Sequence, residues 1–219
     1  MSDNRISMAV IKRLPRYYRY LGDLLDKGIN RISSKELSDR MSITASQIRQ
    51  DLNNFGSFGQ QGYGYNVESL YMEIKQILGL DKVYKLVLIG AGNFGQTLVN
   101  YSNFTKRGFH FVALFDTDKA IIGSKVNDIP ILDAADLEAF LAKTPIDIAV
   151  LTVPANAAES VGQALEKSNI KGIWNFSNTD LNMPDCITVE NVRLTDSLMT
   201  LSCRINEDEI LHRVGGTNK

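Results

Sequence analysis

The sequence predicts an α/β protein: a doubly wound parallel sheet, preceded by a smaller helical unit that ends in a β-hairpin. Three observations carry this. From residue 85 onward, strand-like apolar runs alternate with helical segments, and that alternation specifies a parallel sheet with helices on both faces. At one strand-to-helix junction, Lys85 to Tyr101, Gly90, Gly92 and Gly95 stand at the spacing of a dinucleotide-binding turn. Ahead of it, helical segments within the first 55 residues lead into an uncharged stretch of glycines and aromatics, Gly56 to Tyr65.

Length and composition set the frame. A chain of 219 residues with 44% hydrophobic content makes one large domain or two small ones. No apolar run approaches the ~18–20 residues of a membrane span, and no signal-peptide pattern stands at Met1. A cytoplasmic protein without membrane contact is therefore expected. Cys186 and Cys203 are too few for a disulfide framework and lack metal-ligand spacing. Two inert buried thiols and no metal are expected, with a redox switch between the two cysteines as the alternative. The net charge of −1 is uneven: through residue 60, ten Lys/Arg face six Asp/Glu, a local +4 that leaves −5 for the remainder. Only the first part suits a polyanion.

Taken in order, Ser7 caps a short helix from Met8 to Arg13, and Pro15 opens the next, its missing N–H being harmless at a first helical position. That helix runs to Lys27 and stops at Gly28, with Leu14, Tyr17, Leu21, Leu24 and Leu25 as its buried row. Ser33 or Ser34 caps a helix through Met41. Thr44 caps a third, Ala45 to Asn54, with Gln47 completing a capping-box pattern. Ile48 and Leu52 face inward; Ser46, Gln47, Arg49, Gln50 and Asn53 lie on other faces. Two helices and a tight turn, the second rich in Arg and amide side chains, form a helix-turn-helix pattern. Such side chains pair with guanine and adenine edges in the major groove, although a solvated polar face reads similarly.

Gly56 to Tyr65 reads as a hairpin with Phe58, Tyr63 and Tyr65 as anchors and Gly59 to Gly62 as the tip, hence the wing of a winged helix. The alternative is a glycine-rich linker, but four aromatics in residues 55–65 favour a packed element. The candidate DNA-contacting residues are Arg13, Arg16, Tyr17 and Arg19 of the first helices, Ser46, Gln47, Arg49, Gln50 and Asn53 of the third, and Phe58, Gly59 and Gln60 of the wing.

Val67 to Leu78 is an amphipathic helix closed by Gly79, giving a winged-helix domain at 1–80. Residues 81–195 form the Rossmann-like domain, and 196–219 a C-terminal dimerisation helix. Phe111 to Phe115 ends in Asp116, about 20 positions beyond the glycines, where an acidic side chain takes a ribose and disfavours a 2′-phosphate, so NAD(H) is expected. A turn around Gly123 follows, then a helix from Asp133 to Lys143 and a strand from Asp147 to Val153. Pro154 ends that strand and Asn156 starts a helix. Strands at Gly172 to Phe176 and Ile187 to Glu190 precede a final helix, Asp196 to Val214. The candidate cofactor residues lie at the strand ends: Gly90, Ala91, Gly92, Asn93, Phe94, Gly95, Asp116, Thr152, Val153, Pro154, Phe176 and Ser177. The last helix has an apolar row of Leu198, Leu201 and Ile205, extended by Ile210 or Leu211. It covers its own domain or makes a dimer.

Dehydrogenases need a proton-handling group near the nicotinamide. His110 and His212 stand at no strand end of the expected site, and no Tyr-x-x-x-Lys occurs. The reading is a cofactor site without chemistry joined to a DNA reader, not an enzyme. The alternatives are a small NAD-dependent oxidoreductase with an N-terminal interaction domain, and a CoA- or nucleotide-binding module without DNA contact.

Arg13-Leu-Pro-Arg-Tyr-Tyr-Arg-Tyr-Leu21, Ala45 to Leu52, Phe55 to Tyr65, Gly90 to Gly95 and Trp174-Asn-Phe-Ser177 resemble the Rex family of redox-sensing repressors along essentially the whole chain. The resemblance implies a homodimer with exchanged C-terminal helices and winged helices on a palindromic operator. It also implies NADH and NAD⁺ competing for one site, with NADH releasing DNA from genes of fermentation and NADH reoxidation. Arg193 to Ser202 looks like the variant in clostridial-type members. Some members carry Asp at the position of Arg193, paired with a Tyr matching Tyr101. Arg cannot accept that bond, so Asp196 is the substitute expected in the switch, with Tyr101, Arg193 and Leu198 as switch or dimer residues.

Overall fold

Ser7 accepts a hydrogen bond from the Val10 N–H and starts a single 19-residue helix, α1 (Met8–Asp26). The sequence reading broke this helix at Pro15; the structure carries it through. Val10, Leu14, Tyr17, Leu21 and Leu24 form one buried row along both halves, and packing that row outweighs the ~3 kcal/mol of an interior proline. The computed structural model describes residues 6–55, 59–60 and 64–215. They fall into two units that divide after Lys82.

In the first unit, β1 (Arg31–Ile32) precedes α2 (Ser34–Met41). A full capping box, Ser33 with Glu36, starts α2. At α3 (Ala45–Asn53) only half of the expected box forms: Thr44 Oγ1 accepts from Gln47 N–H at 3.2 Å, but the Gln47 side chain turns to Asp51. β2 (Gly59–Gln60) and β3 (Gly64–Asn66) complete a three-stranded antiparallel sheet in the order β1-β3-β2. Gly59 pairs with Tyr65 and Gln60 with Gly64. Gly59 and Gln60 are therefore strand residues and not the tip, because the ladder runs closer to the turn than the glycines imply. Phe58 and Tyr63 lie outside the described residues. α4 (Val67–Ile77) follows, closed by Gly79 at φ 68°. Leu14, Tyr17, Leu21, Leu37, Ile48, Leu52, Leu70 and Ile74 make a continuous core.

The second unit alternates as expected. β4 (Tyr84–Ile89), α5 (Asn93–Val99) and β5 (Phe109–Asp116) are followed by a hairpin, β6 (Lys125–Val126) and β7 (Ile129–Asp133). Then come α6 (Leu137–Lys143), β8 (Ile148–Leu151), α7 (Ala155–Glu166), β9 (Gly172–Asn175) and β10 (Thr188–Asn191). α8 (Leu194–Gly215) closes the described chain. The sheet order is β10-β9-β8-β4-β5-β7-β6, with β6 antiparallel to β7 and the other pairs parallel. Strand order reverses between β4 and β8, and that reversal opens a crevice at the carboxyl ends. The β6–β7 hairpin turns on Asn127 and Asp128, both at positive φ, the geometry of a two-residue hairpin turn.

Cys186 and Cys203 are both exposed. The expectation of buried thiols fails because each sits on a surface that the unit does not cover. Residues 194–207 of α8 are exposed throughout, so this part of the helix does not serve as a cover for its own unit.

Candidate nucleotide site and nucleic-acid interface

The β4–α5 turn is built by three glycines with different reasons. Gly90 has φ 100°, and a Cβ there would lie 2.9 Å from the backbone of Thr152. The two strands of the crossover come this close, and Thr152 Oγ1 donates to Gly90 O at 2.7 Å across the gap. A Cβ on Gly95 would meet Gly90 O at 2.3 Å, so glycine there lets α5 pack onto its own turn. Around Gly92 no protein atom lies within 4 Å of a Cβ, and its φ of −67° suits any residue. Nothing in the chain itself requires glycine there, and the open space leaves room for a ligand to approach the backbone. Gly92 also gives α5 an N-cap without a side-chain acceptor, while Gln96 Nε2 donates to Ala91 O at 2.8 Å and holds the turn.

Asp116 ends β5 next door. Its Oδ1 accepts from the N–H groups of Thr117 at 2.7 Å and Asp118 at 2.9 Å, which fixes the carboxylate at the rim of a cavity of about 430 Å³. Gly90, Val153, Pro154, Leu137, Ala157 and Val161 contribute to its walls. A mostly apolar slot with Asp116 at its rim, and with its second carboxylate, Glu138, paired to Lys167 at 3.1 Å, suits a planar base with a ribose at its edge. Across the crevice Phe94 meets Phe176 edge-on, with ring centroids 5.3 Å apart. The strand ends thus gather the candidates of the Gly-rich turn, Asp116, Thr152 to Pro154, and Phe176–Ser177. Several are engaged inward: Ala91 and Gly95 are buried, Thr152 Oγ1 donates to Gly90 O, and Ser177 Oγ donates to Asn175 Oδ1 at 2.6 Å. Sequence reasoning missed Leu137, Ala157 and Val161, whose apolar helix positions read as ordinary core.

In the first unit, Ser46, Arg49, Gln50 and Asn53 of α3 are exposed. Arg49 Nη1 donates to Ser34 Oγ of α2 at 3.0 Å, and Arg16 and Arg19 of α1 are half-buried and exposed respectively. Tyr17 is a correction. Expected at the DNA, it is fully buried, and its hydroxyl donates to Asp51 Oδ2 at 2.9 Å. Arg13 is engaged at the same carboxylate: both its Nε and Nη2 donate to Asp51 at 2.7 Å, with the side chain 28% exposed. Gln47 gives its amide to Asp51 Oδ1 at 2.8 Å. Asp51, fully buried and missed in the sequence, gathers all three. Burial pushes its carboxyl up, but the hydrogen bonds from Arg13, Gln47 and Tyr17 outweigh that and hold it below the usual carboxylate range. Burial, then the bond to Asp51, push the Tyr17 phenol well above its usual range.

The residues expected in a switch are separately engaged. Tyr101 is 55% exposed, and its hydroxyl accepts from Asn103 Nδ2 at 2.9 Å. Arg193 Nη2 pairs with Asp180 Oδ1 at 2.5 Å. Asp196 is exposed in the first turn of α8, and Leu198 is exposed beside it.

A nucleotide crevice of this kind, on the same chain as a winged helix-turn-helix, defines a ligand-responsive DNA-binding regulator. Residues 5–53 match the family described as "Putative DNA-binding protein N-terminus", and residues 81–179 match the CoA binding domain family. The chain is 58% identical over 207 residues to the redox-sensing transcriptional repressor Rex of Clostridioides difficile (strain 630), covering 94% of this chain and 99% of that one. Among solved structures, RSP in complex with β-NAD⁺ and operator DNA matches at 51% identity with a TM-score of 0.89, covering 98% of this chain and 99% of that one. RSP in complex with β-NADH matches at 49% identity and 0.87, covering 95% and 98%. The chain belongs to the Rex family of redox-sensing transcriptional repressors.

Proposed function

We propose that this protein is a homodimeric repressor in the cytoplasm that binds palindromic operators while NADH is low and releases them when NADH replaces NAD⁺. The observation that carries the reading is the pairing of an open Gly92 and the slot beside Asp116 with a recognition helix on the same chain. Relatives support it: one has been solved with NAD⁺ and operator DNA, and again with NADH. In this reading the turn from Gly90 to Gly95 holds the pyrophosphate, Asp116 takes the adenosine ribose beside the slot walled by Val153 and Pro154, and Thr152 with Phe176 and Ser177 lies toward the nicotinamide. Ser46, Arg49, Gln50 and Asn53 meet the major groove, the wing at Gly59 and Gln60 reaches the minor groove, and Arg16 and Arg19 contact phosphates. The paired Arg13 and Gln47 act from behind, through Asp51. NADH and NAD⁺ differ in nicotinamide charge and planarity, and a ligand shifts a two-state equilibrium only by its differential affinity. His110 stands at the start of β5, opposite Lys85, at the far end of the strand from Asp116, so it is no proton donor for hydride transfer.

The test is binding to a labelled promoter fragment with a palindromic site, in the presence of NAD⁺ or NADH. The complex is expected to survive NAD⁺ and be lost with NADH. Operator binding indifferent to either nucleotide would remove the sensing role.

A further inference from the structure

We propose that Asp180 is a positioning residue that carries the state of the turn after β9 to the root of α8. The inference rests on the NADH-responsive reading above.

The turn begins at Asn175, whose side chain is fully buried and uses both ends of its amide. Oδ1 accepts from the N–H of Ser177 at 3.0 Å and from its hydroxyl at 2.6 Å. Nδ2 donates to Thr179 O and to Asn191 Oδ1, each at 2.8 Å. Asn191 is the last residue of β10, and the N–H of Val192 donates to Asn175 O at 2.8 Å. Asp180, three residues beyond Ser177, receives Arg193 Nη2 at 2.5 Å and Asn191 Nδ2 at 3.4 Å on the same oxygen. Arg193 immediately precedes Leu194, the first residue of α8. A hydrogen-bonded chain therefore runs from Ser177, at the nicotinamide end of the crevice, to the residue that launches α8.

The two ends of the chain differ in strength. At the buried end, Asn175 has no water to replace a lost partner, so a rearrangement of the 175–179 turn has to exchange these hydrogen bonds together. At the outer end the Asp180 side chain is 77% exposed and that of Arg193 is 37% exposed. Such a pair contributes little to stability. A ligand can therefore break or remake it with a small part of its binding energy, which a coupling contact requires. Asp180 grips the segment before α8 at two points without being needed to fold it.

The test compares wild type, Asp180→Ala, Arg193→Ala and the double variant. For each, NADH affinity, the melting temperature and operator affinity in NAD⁺ and in NADH are measured. The NADH-to-NAD⁺ ratio of operator dissociation constants is expected to fall about fivefold or more in each single variant, within the usual range of coupling factors. The double variant should match Asp180→Ala, because the Arg193 contact is already gone once Asp180 is removed. NADH affinity and melting temperature should stay at wild-type values, which separates positioning from a structural role. A wild-type ratio in Asp180→Ala, a loss of NADH affinity there, or additive losses in the double variant would each overturn the assignment. A wild-type protein whose operator affinity ignores NADH would instead overturn the reading beneath it.

Discussion

Asp51 is a charge with no exposed surface, and it survives in the core of the first unit because every side of it is answered. Arg13 supplies two parallel N–H donors, Gln47 an amide and Tyr17 a hydroxyl. Removing one member of a buried pair leaves the other charge unanswered. Arg13, 28% exposed, regains some water, so Asp51→Ala should cost about 2–4 kcal/mol, read from denaturant unfolding of the first unit. A loss within error would mean that the network is incidental. The pH dependence has a definite sign. A carboxyl held below its ordinary range contributes fully above the unfolded value of about 3.9 and loses that contribution as pH falls below it. The raised Tyr17 phenol acts oppositely: its contribution is complete below about 10 and fades at higher pH. Little of this was legible in the sequence. The 3.6-residue period placed Tyr17 in a buried row and Arg13 reads as a candidate DNA contact, but only the fold that brings α1 beside α3 reveals that a carboxylate 38 positions away joins them.

At the scale of the element, the β4–turn–α5 segment was legible because its glycines answer to backbone geometry, which spacing encodes directly. The β6–β7 hairpin was missed because its strands are two and five residues long. β1 was missed likewise, since two residues carry no alternation. The helix break expected at Pro15 failed because a local penalty was weighed without the core that overrides it. The glycines also separate fold from ligand. Gly95→Ala drives a Cβ into Gly90 O and toward Thr152 Oγ1, so it should cost about 1–3 kcal/mol by overpacking as well as NADH affinity. Gly92→Ala meets no protein atom. Its melting temperature should match wild type while its NADH affinity, measured by quenching of the single tryptophan, Trp174, falls at least about tenfold, a difference of roughly 1.4 kcal/mol. Trp174 reports on the crevice because it stacks edge-on against Phe176, with ring centroids 4.6 Å apart. Unchanged NADH affinity in Gly92→Ala would mean that the open space there is not used by the dinucleotide.

At the scale of the whole molecule, α8 poses the question that the rest of the chain leaves open. Leu194, Leu198, Leu201 and Ile205 recur at helical spacing, and each is more than half exposed. An apolar stripe of that length in water marks a surface made for association. On the proposed reading of a palindromic operator the partner is a second copy, because a helix-turn-helix reading a palindrome needs two copies related by a two-fold axis. Leu198→Asp combined with Leu201→Asp puts two charges into the middle of the stripe while touching nothing in the nucleotide crevice. Light scattering should then give a monomer that binds NADH normally. Operator affinity should fall by about 100-fold or more, because the second half-site is no longer bound at the high effective concentration that a dimer provides. A variant that stays dimeric would move the subunit interface away from α8. A monomer with full operator affinity would mean that each winged helix reads its half-site alone, and the two-fold logic of the repressor would have to be abandoned.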